Sequence, residues 1–354
     1  MATGYQDIEN RICAQIKRGD LKPGDRVGPI RHIAADFGVS PVTADRALRE
    51  LARKGVLNHV PRHGFFVSAP ELQIRGKIHA IVRPIDRKTP FGETLSGIIG
   101  EAWPRGYSIS VSLSQNNTEQ SLEAAQRAVL EQVDGVVYMV AGEMGNFAMN
   151  REPVKLLIDQ GLPVVTIGHC DLPGIESVPG VSSAHEQAGF EITRHLLSKG
   201  LKRLAVLGVF PNQDEQYILE GCRRACREAD VPLRPNWVRF HLPGESVAQD
   251  VQYLLNSGKR PDAIFALSDL VAAETMDEII QTGLKVPDDI SVVGFGDYPI
   301  AELVRPALTT MRINLQAVGS LATNTLIRMI EGHPYDTSHT EIPCQLIVRD
   351  SCLH

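Results

Sequence analysis

The sequence predicts an α/β protein in which a small helical domain with a β-hairpin precedes a two-lobed body of parallel sheets. Three observations predict this fold class. Capped, amphipathic helices occupy the first 55 residues. From Lys77 onward, apolar strands alternate with helical stretches, a pattern typical of parallel sheets covered by helices. The chain has 354 residues, which is too long for one small domain. We therefore expect a first domain at 1–70, a polar linker at 71–76 and a second domain at 77–354.

The stretch from Gly38 to Gly55 predicts a helix with one buried face and one basic face. Ser40 suits the N-cap. Pro41 suits the first helical position, because a backbone N–H at that position would have no partner within the helix and proline has none. Apolar residues at Ala44, Ala47, Leu48 and Leu51 recur on one side. The other side carries Ser40, Thr43, Arg46, Arg49 and Arg53. A charged face is often simply solvated, but the flanking segments favour an anionic partner.

The flanking segments predict a winged helix-turn-helix. Isoleucines at Ile8, Ile12 and Ile16 describe an amphipathic first helix. A short second helix from about Pro29 then meets the Gly38 turn, and two helices joined in this way can place the second one in the major groove of DNA. Two β-rich runs, VLNHV and FFVSA, flank a basic tip at 61–64 and read as a hairpin, the wing.

Residues 5–68 resemble the GntR family of bacterial transcription regulators. The resemblance is carried by Tyr5, Ile8, Gly19–Leu21, Pro23–Asp25, Arg31, Ile33, Ala34, Gly38–Ser40, Thr43, Ala47, Leu48, Leu51, Gly55, Gly64, Phe66 and Val67. It implies DNA binding, with Arg31 on phosphate, the start of the recognition helix on bases, and the wing tip (Arg62, His63 and Gly64) in the minor groove.

Five positions depart from the pattern of that family. Pro41 and Asp45 stand where arginines are usual, Gly28 replaces a proline, and Arg62 replaces the first glycine of the wing tip, where His63 takes the place of an arginine. Because Asp45 would repel phosphate, we assign base contacts to Thr43, Arg46 and Arg49, next to the cap Ser40. Arginine bound to a guanine edge is the commonest specific contact, so Arg46 is the leading candidate.

Composition sets the outer limits on function. Residues 1–70 contain 11 Lys and Arg against 7 Asp and Glu, whereas the remainder is acidic, which suits a DNA-binding head on a body that does not bind DNA. The six cysteines lack zinc-ligand spacing, so we expect free thiols, no metal ligands and no cofactor. The start of the chain lacks a signal sequence, and no apolar run approaches a membrane span, which predicts a cytoplasmic protein without a membrane partner.

The body resembles the ligand-binding body of the lac repressor family, which shares its fold with periplasmic sugar-binding proteins. This resemblance runs from about Lys77 to the C-terminus. It is carried by Pro90, Phe91, Gly106, Tyr107, Val133–Val136, Pro163–Val165, His195, Leu196, Gly200, Gly221, Ala263–Phe265, Ser268, Asp269, Gly283, Val286, Pro287, Val292–Asp297, Pro306, Leu308–Thr310, Gly319, Val348 and Arg349. A GntR-type head on such a body resembles the arabinose-responsive repressors.

The resemblance implies two lobes joined by three crossovers, at about Gly168–Gly174, Gly296–Ala301 and Glu331–Pro334. Lobe 1 would then comprise 77–170 and 299–331, and lobe 2 would comprise 171–298 and 332–354. A small molecule, by default a sugar, would bind between them at the carboxyl ends of the strands.

Four residues are candidates for effector contacts. Asp269 ends an apolar strand, where a carboxylate can bind sugar hydroxyls or cap the next helix. Phe91 matches an aromatic residue that lines the pocket of the family, although it could equally pack in a core. His169 and Tyr298 lie where a pocket rim is expected, and each could be structural instead. The effector-clamping arginine of the family is replaced by Ile218, which leaves the effector class open.

We therefore predict a ligand-responsive transcriptional repressor that binds operator DNA as a homodimer, with the helix at about Thr94–Trp103 contributing to the dimer. Two alternatives belong to other classes. One is an aminotransferase-like enzyme with a GntR-type head, which needs a longer chain and a Schiff-base lysine in its own motif. The other is a stand-alone sugar-binding protein. The winged helix argues against the second, and the sequence lacks a phosphate loop or nucleophile elbow that would indicate an enzyme.

Overall fold

The computed structural model describes residues 5–68, 74–84, 91–114, 117–141, 147–169, 172, 174–175, 178–209, 213–241 and 245–353, without the side chains of Lys17, Phe91, Phe147 and Ala148. The chain divides into one compact unit at Met1–Gln73 and a second at Ile74–His354. We call residues 5–68 the head and residues 74–353 the body.

The head consists of three helices followed by a β-hairpin. Its elements are α1 (Tyr5–Arg18), α2 (Ile30–Phe37), α3 (Pro41–Arg53), β1 (Leu57–Val60) and β2 (Gly64–Val67). The two strands pair antiparallel, with Leu57 opposite Val67. Gly38 ends α2 in the left-handed conformation, at φ 63°, which glycine adopts without steric cost. The predicted helix-turn-helix and hairpin are both present.

The head has a hydrophobic core of its own. The buried face of α3 contributes Ala44, Ala47, Leu48 and Leu51, as the periodicity predicts. These residues pack with apolar side chains from the other two helices, from the segment before α2 and from the hairpin: Ile8, Ile12, Val27, Ile33, Ala34, Leu57, Phe65 and Val67. The basic side of α3 is thereby turned away from the core.

The body alternates strands and helices along most of its length. Its strands are β3 (Gly76–Val82), β4 (Tyr107–Leu113), β5 (Gly135–Met139), β6 (Val164–Ile167), β7 (Gly180–Ser183), β8 (Leu204–Gly208), β9 (Val238–Phe240), β10 (Ala263–Ala266), β11 (Ser291–Gly296), β12 (Thr309–Arg312), β13 (His339–Ile342) and β14 (Gln345–Ile347). Its α-helices are α4 (Phe91–Ala102), α5 (Thr118–Leu130), α6 (Arg151–Asp159), α7 (His185–Ser198), α8 (Gln213–Glu228), α9 (Val247–Leu255), α10 (Asp269–Gln281), α11 (Ile300–Leu303) and α12 (Leu315–Ile330).

These strands form two six-stranded sheets. The first sheet has the order β13-β7-β6-β5-β3-β4, and all of its pairs are parallel. The second has the order β14-β12-β11-β10-β8-β9, and it is parallel except for β14, which runs antiparallel to β12. Helices cover both faces of each sheet. In the first lobe, α4 and α12 pack on one face and α5 and α6 on the other. In the second lobe, α7 and α8 lie opposite α9 and α10.

The lobe boundaries differ from those expected from the sequence. Strands β7 and β13 pair within the first sheet, although we expected residues 171–298 and 332–354 in the second lobe. Strand β12 pairs in parallel with β11 of the second sheet, although we expected 299–331 in the first. The chain therefore passes between the sheets at Ala184, at 313–314 and at 343–344, each time one strand later than predicted.

Among the helices of the described residues, none combines the length and the apolar character that crossing a bilayer requires.

Candidate DNA-binding head and ligand cavity

The N-terminal end of α3 presents a small polar surface to solvent. The Ser40 hydroxyl accepts a hydrogen bond from the backbone N–H of Thr43 at 3.1 Å, and the two hydroxyl oxygens lie 2.8 Å apart. This cap fixes where the helix begins. Val42 follows in the first turn with 78% of its side chain exposed, although sequence reasoning gave it no role. An exposed aliphatic group at this position suits contact with a thymine methyl group.

The two arginines assigned to base contacts have different surroundings. Arg49 donates to the Asp45 carboxylate at 2.7 Å, in an i,i+4 ion pair. Asp45 thus offsets the charge of Arg49 as well as repelling phosphate. The guanidinium of Arg46 lies over the ring of Tyr5, 5.0 Å from its centroid. The stacking holds Arg46 at the exposed surface of α3, where it keeps its charge.

The wing tip is a tight, exposed turn. Arg62 adopts a left-handed conformation at φ 66°, and Gly64 has φ 103°. His63 Nδ1 lies 3.1 Å from the Pro61 carbonyl oxygen. The Arg26 side chain lies beside Gly64, where an added Cβ would be in ordinary van der Waals contact with its Nε, at 3.4 Å. Arg26 is a further basic residue of this surface, which the hairpin pattern could not reveal because it lies before α2.

Arg31 is exposed near the start of α2. The structure therefore presents Arg31, the polar side of α3 and the wing tip as exposed groups of the head. Their contacts with DNA remain predictions.

In the body, a cavity of about 150 Å³ lies between the two sheets. At about 30 Å³ for each water molecule, this space corresponds to about five waters, which is the size class of a small polar molecule. Its lining comes from the carboxyl ends of strands in both lobes, as expected for parallel sheets. The first lobe contributes Arg83, Met139, Ile167, Gly168, Ser182, Ser183, Leu315 and Val318, and the second contributes His185, Asp214, Glu215, Ile218, Leu267, Ser268, Phe295, Tyr298 and Ile313.

The cavity wall is divided by polarity. Polar groups come from Arg83, His185, Asp214, Glu215, Ser268, Tyr298 and the two serines at the end of β7, while aliphatic and aromatic side chains supply the remainder. Ile218, which replaces the clamping arginine, lies in this wall and is 2% exposed. One turn further along α8, Gly221 allows close packing on α7, because an added Cβ would lie 1.9 Å from the Glu186 carbonyl oxygen.

Tyr298 is among the residues that line the cavity, and its contact with an effector stays a prediction. Its ring packs on Gly296, where an added Cβ would lie 2.2 Å from the ring. Burial raises the pKa of the Tyr298 hydroxyl, so it stays protonated as a hydrogen-bond donor. Phe91 begins α4, but its side chain lies outside the described residues.

Asp269 lies behind the cavity wall, unlike the contact expected from the sequence. Its carboxylate accepts hydrogen bonds from the Tyr298 backbone N–H at 2.6 Å and from the Thr310 hydroxyl at 2.5 Å, and the residue is fully buried. The helix cap is Ser268, whose hydroxyl accepts from the Leu270 N–H at 3.2 Å. Burial raises the pKa of Asp269 to about 6. The residue ties β12 and the segment after β11 to α10, instead of presenting its oxygens to a ligand.

His169 lies next to the cavity, where groups from both lobes meet. Its Nδ1 is 3.4 Å from Asp214 Oδ1, on α8 of the second lobe, and its Nε2 is 2.9 Å from Glu341 Oε1, on β13 of the first. Burial lowers the pKa of His169, but the hydrogen bonds to these two carboxylates outweigh it and the pKa is raised overall. Arg83 approaches the same Asp214 carboxylate at 3.6 Å.

Asp214 is the residue that joins this network across the lobes. Burial alone would raise its pKa, but His185, His169 and Arg83 lower it, so the carboxylate stays ionised. Sequence reasoning missed both Arg83 and Asp214. Arg83 could have been found because it directly follows β3, at the carboxyl end of a strand. Asp214 lies in the first turn of a helix, and its sequence context carries no comparable signal.

Comparison with known proteins agrees with this architecture. Residues 4–67 match the family described as bacterial regulatory proteins, gntR family. Residues 193–352 match the periplasmic binding protein-like domain. The chain combines a GntR-type head with a periplasmic-binding-protein-like body.

The relatives of this two-part chain are transcription regulators. The chain is 29% identical over 358 residues to the arabinose metabolism transcriptional repressor of Geobacillus stearothermophilus, an alignment that covers 98% of this chain and 97% of that protein. The crystal structure of transcription regulator GntR from Chromobacterium violaceum matches with a TM-score of 0.66 and 27% identity, over 77% of this chain and 98% of that one. A CelR–cellobiose complex has a TM-score of 0.69 at 20% identity, over 92% and 100%, which is a likeness of fold. The comparisons do not favour the aminotransferase or the stand-alone binding protein.

Proposed function

We propose that this protein is a ligand-responsive transcriptional repressor that binds operator DNA through the head and a small carbohydrate between the lobes of the body. The observation that carries the proposal is the cavity at the carboxyl ends of both sheets, because a ligand there touches both lobes and stabilises their closed arrangement. Differential binding to one arrangement of the lobes is what links an effector to a distant DNA site. Such a function belongs in the cytoplasm, with the bacterial chromosome.

The polarity of the cavity supports a neutral carbohydrate as the effector. A sugar has hydroxyls that bind arginine, histidine and carboxylate groups, and it has C–H surfaces that pack on apolar side chains. The cavity offers the first set through Arg83, His185 and Asp214, and the second through Ile218 and Phe295. The name of one relative, an arabinose metabolism repressor, points to the same class of ligand.

Operator binding is proposed to need two heads. One head offers a short recognition helix and one wing, and a single half-site bound in this way gives weak, salt-dependent affinity. A homodimer on a near-palindromic operator doubles these contacts. Exposed apolar side chains on the first lobe, at Ile99 and Trp103, support a dimer contact at α4 and the turn after it.

A thermal-shift screen of the full-length protein tests the effector class. The screen covers monosaccharides, disaccharides, sugar acids and nucleosides, because a ligand that binds the native state raises Tm. We expect a sugar to raise Tm and to change operator affinity about 5- to 150-fold in a fluorescence anisotropy assay. The operator for that assay comes from selection on random double-stranded oligonucleotides.

Two tyrosine variants locate the effector. Tyr298→Phe removes the hydroxyl of a residue that lines the cavity, so it should weaken the sugar response. Tyr253→Phe is the matched control, because that tyrosine is exposed on α9, away from the cavity lining. Its hydroxyl accepts a hydrogen bond from the Asn236 side chain at 3.2 Å. A sugar response that both variants retain would move the effector site away from the cavity. If the protein enriches no sequence from random double-stranded oligonucleotides, the proposed role as a transcription regulator is contradicted.

A further inference from the structure

Three side chains with metal-binding atoms converge at the edge of the first sheet, beside the ligand cavity. His169 follows β6, while His339 and Glu341 lie two residues apart on the edge strand β13. Residues two apart on a strand share one face, so the edge strand directs both side chains to the same side. One nitrogen or oxygen from each of the three residues lies within 4.8 Å of the others.

The donor atoms lie close together, around the Ser182 hydroxyl. His169 Nε2 is 2.9 Å from Glu341 Oε1. The Ser182 hydroxyl oxygen lies 3.2 Å from His169 Nε2 and 2.8 Å from His339 Nε2, so both imidazoles direct the same type of nitrogen to one hydroxyl. Zinc is bound by such nitrogens and by carboxylate oxygens at about 2.0–2.2 Å, so tetrahedral donors around it are about 3.3–3.6 Å apart. The three donors lie within 4.8 Å of one another, so small side-chain movements bring them to this separation.

We propose that His169, His339 and Glu341 bind one divalent transition-metal ion of the zinc, nickel or cobalt class. Imidazole suits these metals, whereas magnesium and calcium prefer sites made of oxygen alone. Three protein ligands leave a coordination position for water or for an oxygen of a bound molecule. This site goes beyond the proposed sugar-responsive function, which needs no metal.

The partner of the second histidine nitrogen supports the site. Histidines that bind a metal donate their other ring N–H to a carboxylate or carbonyl, which fixes the tautomer and orients the ring. His169 has this arrangement, because its Nδ1 faces Asp214 Oδ1 at 3.4 Å while its Nε2 faces Glu341. Asp214 belongs to the second lobe and the three ligands to the first. An ion on Nε2 therefore strengthens a hydrogen bond that holds the two lobes together.

The surroundings of the ligands give the site both support and access. His169 is buried, at 7% exposure, and its ring stacks on that of His339 with centroids 5.0 Å apart. His339 and Glu341 are exposed, which leaves an entry path from solvent. Gly180, opposite His339 in the sheet, makes room for this ring, since an added Cβ would lie 2.5 Å from His339 Nδ1.

Metal binding is measured directly on the full-length protein after dialysis against EDTA. Isothermal titration with ZnCl2, NiCl2 and CoCl2 at pH 7.5 should give one ion per chain, and MgCl2 should give no comparable binding. His339→Asn and Glu341→Gln each remove one donor from an exposed position and should weaken binding at least 10-fold. His333→Asn is the matched control, because His333 is an exposed histidine next to a single carboxylate, Glu331, at 3.5 Å.

The cobalt spectrum separates this site from the thiols of Cys13, Cys222, Cys226, Cys344 and Cys352. Nitrogen and oxygen ligands give ligand-field bands alone, whereas thiolates add intense charge-transfer absorption. Asp214→Asn should keep the stoichiometry and weaken affinity about 10- to 100-fold. The proposed metal site is contradicted if none of the three metals binds, or if the His339→Asn/Glu341→Gln double variant binds metal with the affinity of the parent protein. It is also contradicted if the cobalt-bound protein shows thiolate charge-transfer absorption. Unchanged affinity in Asp214→Asn would remove the inter-lobe role of the ion.

Discussion

At the scale of single residues, Arg46 differs from the other arginines of α3 in its ion pairing. Arg49 is paired with Asp45 and Arg53 with Glu50, whereas no carboxylate partner of Arg46 occurs among the ion pairs of the described residues. Arg46→Ala should therefore lower specific operator affinity by about 1–3 kcal/mol, the cost of losing a good base contact. Fluorescence anisotropy with the selected operator measures this loss.

The control for Arg46 is Arg53→Ala, which removes an arginine from the last turn of the same helix. We expect a smaller loss there, and one that is equal for specific and random DNA. If Arg46→Ala also weakens both DNAs equally, the residue contacts phosphate and not a base.

A second prediction at this scale concerns Asp269 and acid pH. Its pKa is raised from 3.8 to about 6, so the folded body binds a proton more tightly than the unfolded chain. Stability from this group is complete below pH ~4, falls as the pH rises from about 4 to 6, and is then constant. The difference corresponds to about 3 kcal/mol. Asp269→Asn should remove this slope, since an amide does not titrate and can still accept from the Tyr298 N–H.

Urea denaturation of parent and variant at several pH values between 4 and 7 measures the slope. The difference between the two curves isolates Asp269, because Asp214, whose pKa is lowered, titrates equally in both proteins. Parallel curves for parent and Asp269→Asn would show that the carboxyl group does not titrate in this range.

At the scale of secondary-structure elements, two glycines of α4 allow a test of helix packing. An added Cβ at Gly97 would lie 2.1 Å from the Gln316 carbonyl oxygen on α12, whereas Gly100 has no atom within 4 Å. Gly97→Ala should therefore destabilise the body by about 1–3 kcal/mol through overpacking. Gly100→Ala should stabilise it by up to about 1 kcal/mol, because alanine favours the helix. Urea midpoints of the two variants should move in opposite directions, and a shift of both the same way would contradict this packing.

The elements that the sequence predicted well have strong local signals. Ser40 and Pro41 mark the start of α3, and the apolar runs AIFA and SVVGFG mark two central strands. The missed elements are short and polar. Strand β7 reads GVSS and β13 reads HTEI, so neither has the apolar pattern of a buried strand. Their pairing with the first sheet depends on contacts distant in sequence, and the lobe boundaries were misplaced as a result.

The candidate site shows the same limit. Tyr298 was predicted from its place after an apolar strand, and it does line the cavity. Asp269 had the same type of signal, yet a strand-end position does not reveal whether a carboxylate faces the cavity or the interior. The cluster of His169, Asp214 and Glu341 joins residues 45 and 127 positions apart along the chain, which only the tertiary structure brings together.

At the scale of the whole molecule, the proposed function depends on a dimer. The first lobe exposes apolar side chains on α4, on the turn after it and on the edge strand β4: Ile99 (42%), Trp103 (53%), Val111 (41%) and Leu113 (44%). Large exposed apolar groups in one region are typical of protein interfaces, and tryptophan often dominates their binding energy. Trp103→Ala should therefore raise the dimer dissociation constant about 30-fold or more, corresponding to the loss of about 2 kcal/mol. Sedimentation velocity across a concentration series measures this constant.

The operator distinguishes loss of the dimer from damage to the fold. If two heads bind one operator together, Trp103→Ala should weaken binding to the two-half-site operator and leave binding to an isolated half-site unchanged. The head has its own hydrophobic core, so the substitution of Trp103 in the body should not alter it. Leu303→Ala, at an apolar position that is 70% exposed in the second lobe, should change neither constant. If the Trp103→Ala protein stays dimeric at nanomolar concentration, the interface lies elsewhere on the body. If the variant is monomeric and still binds the operator as the parent does, one head is sufficient for operator binding.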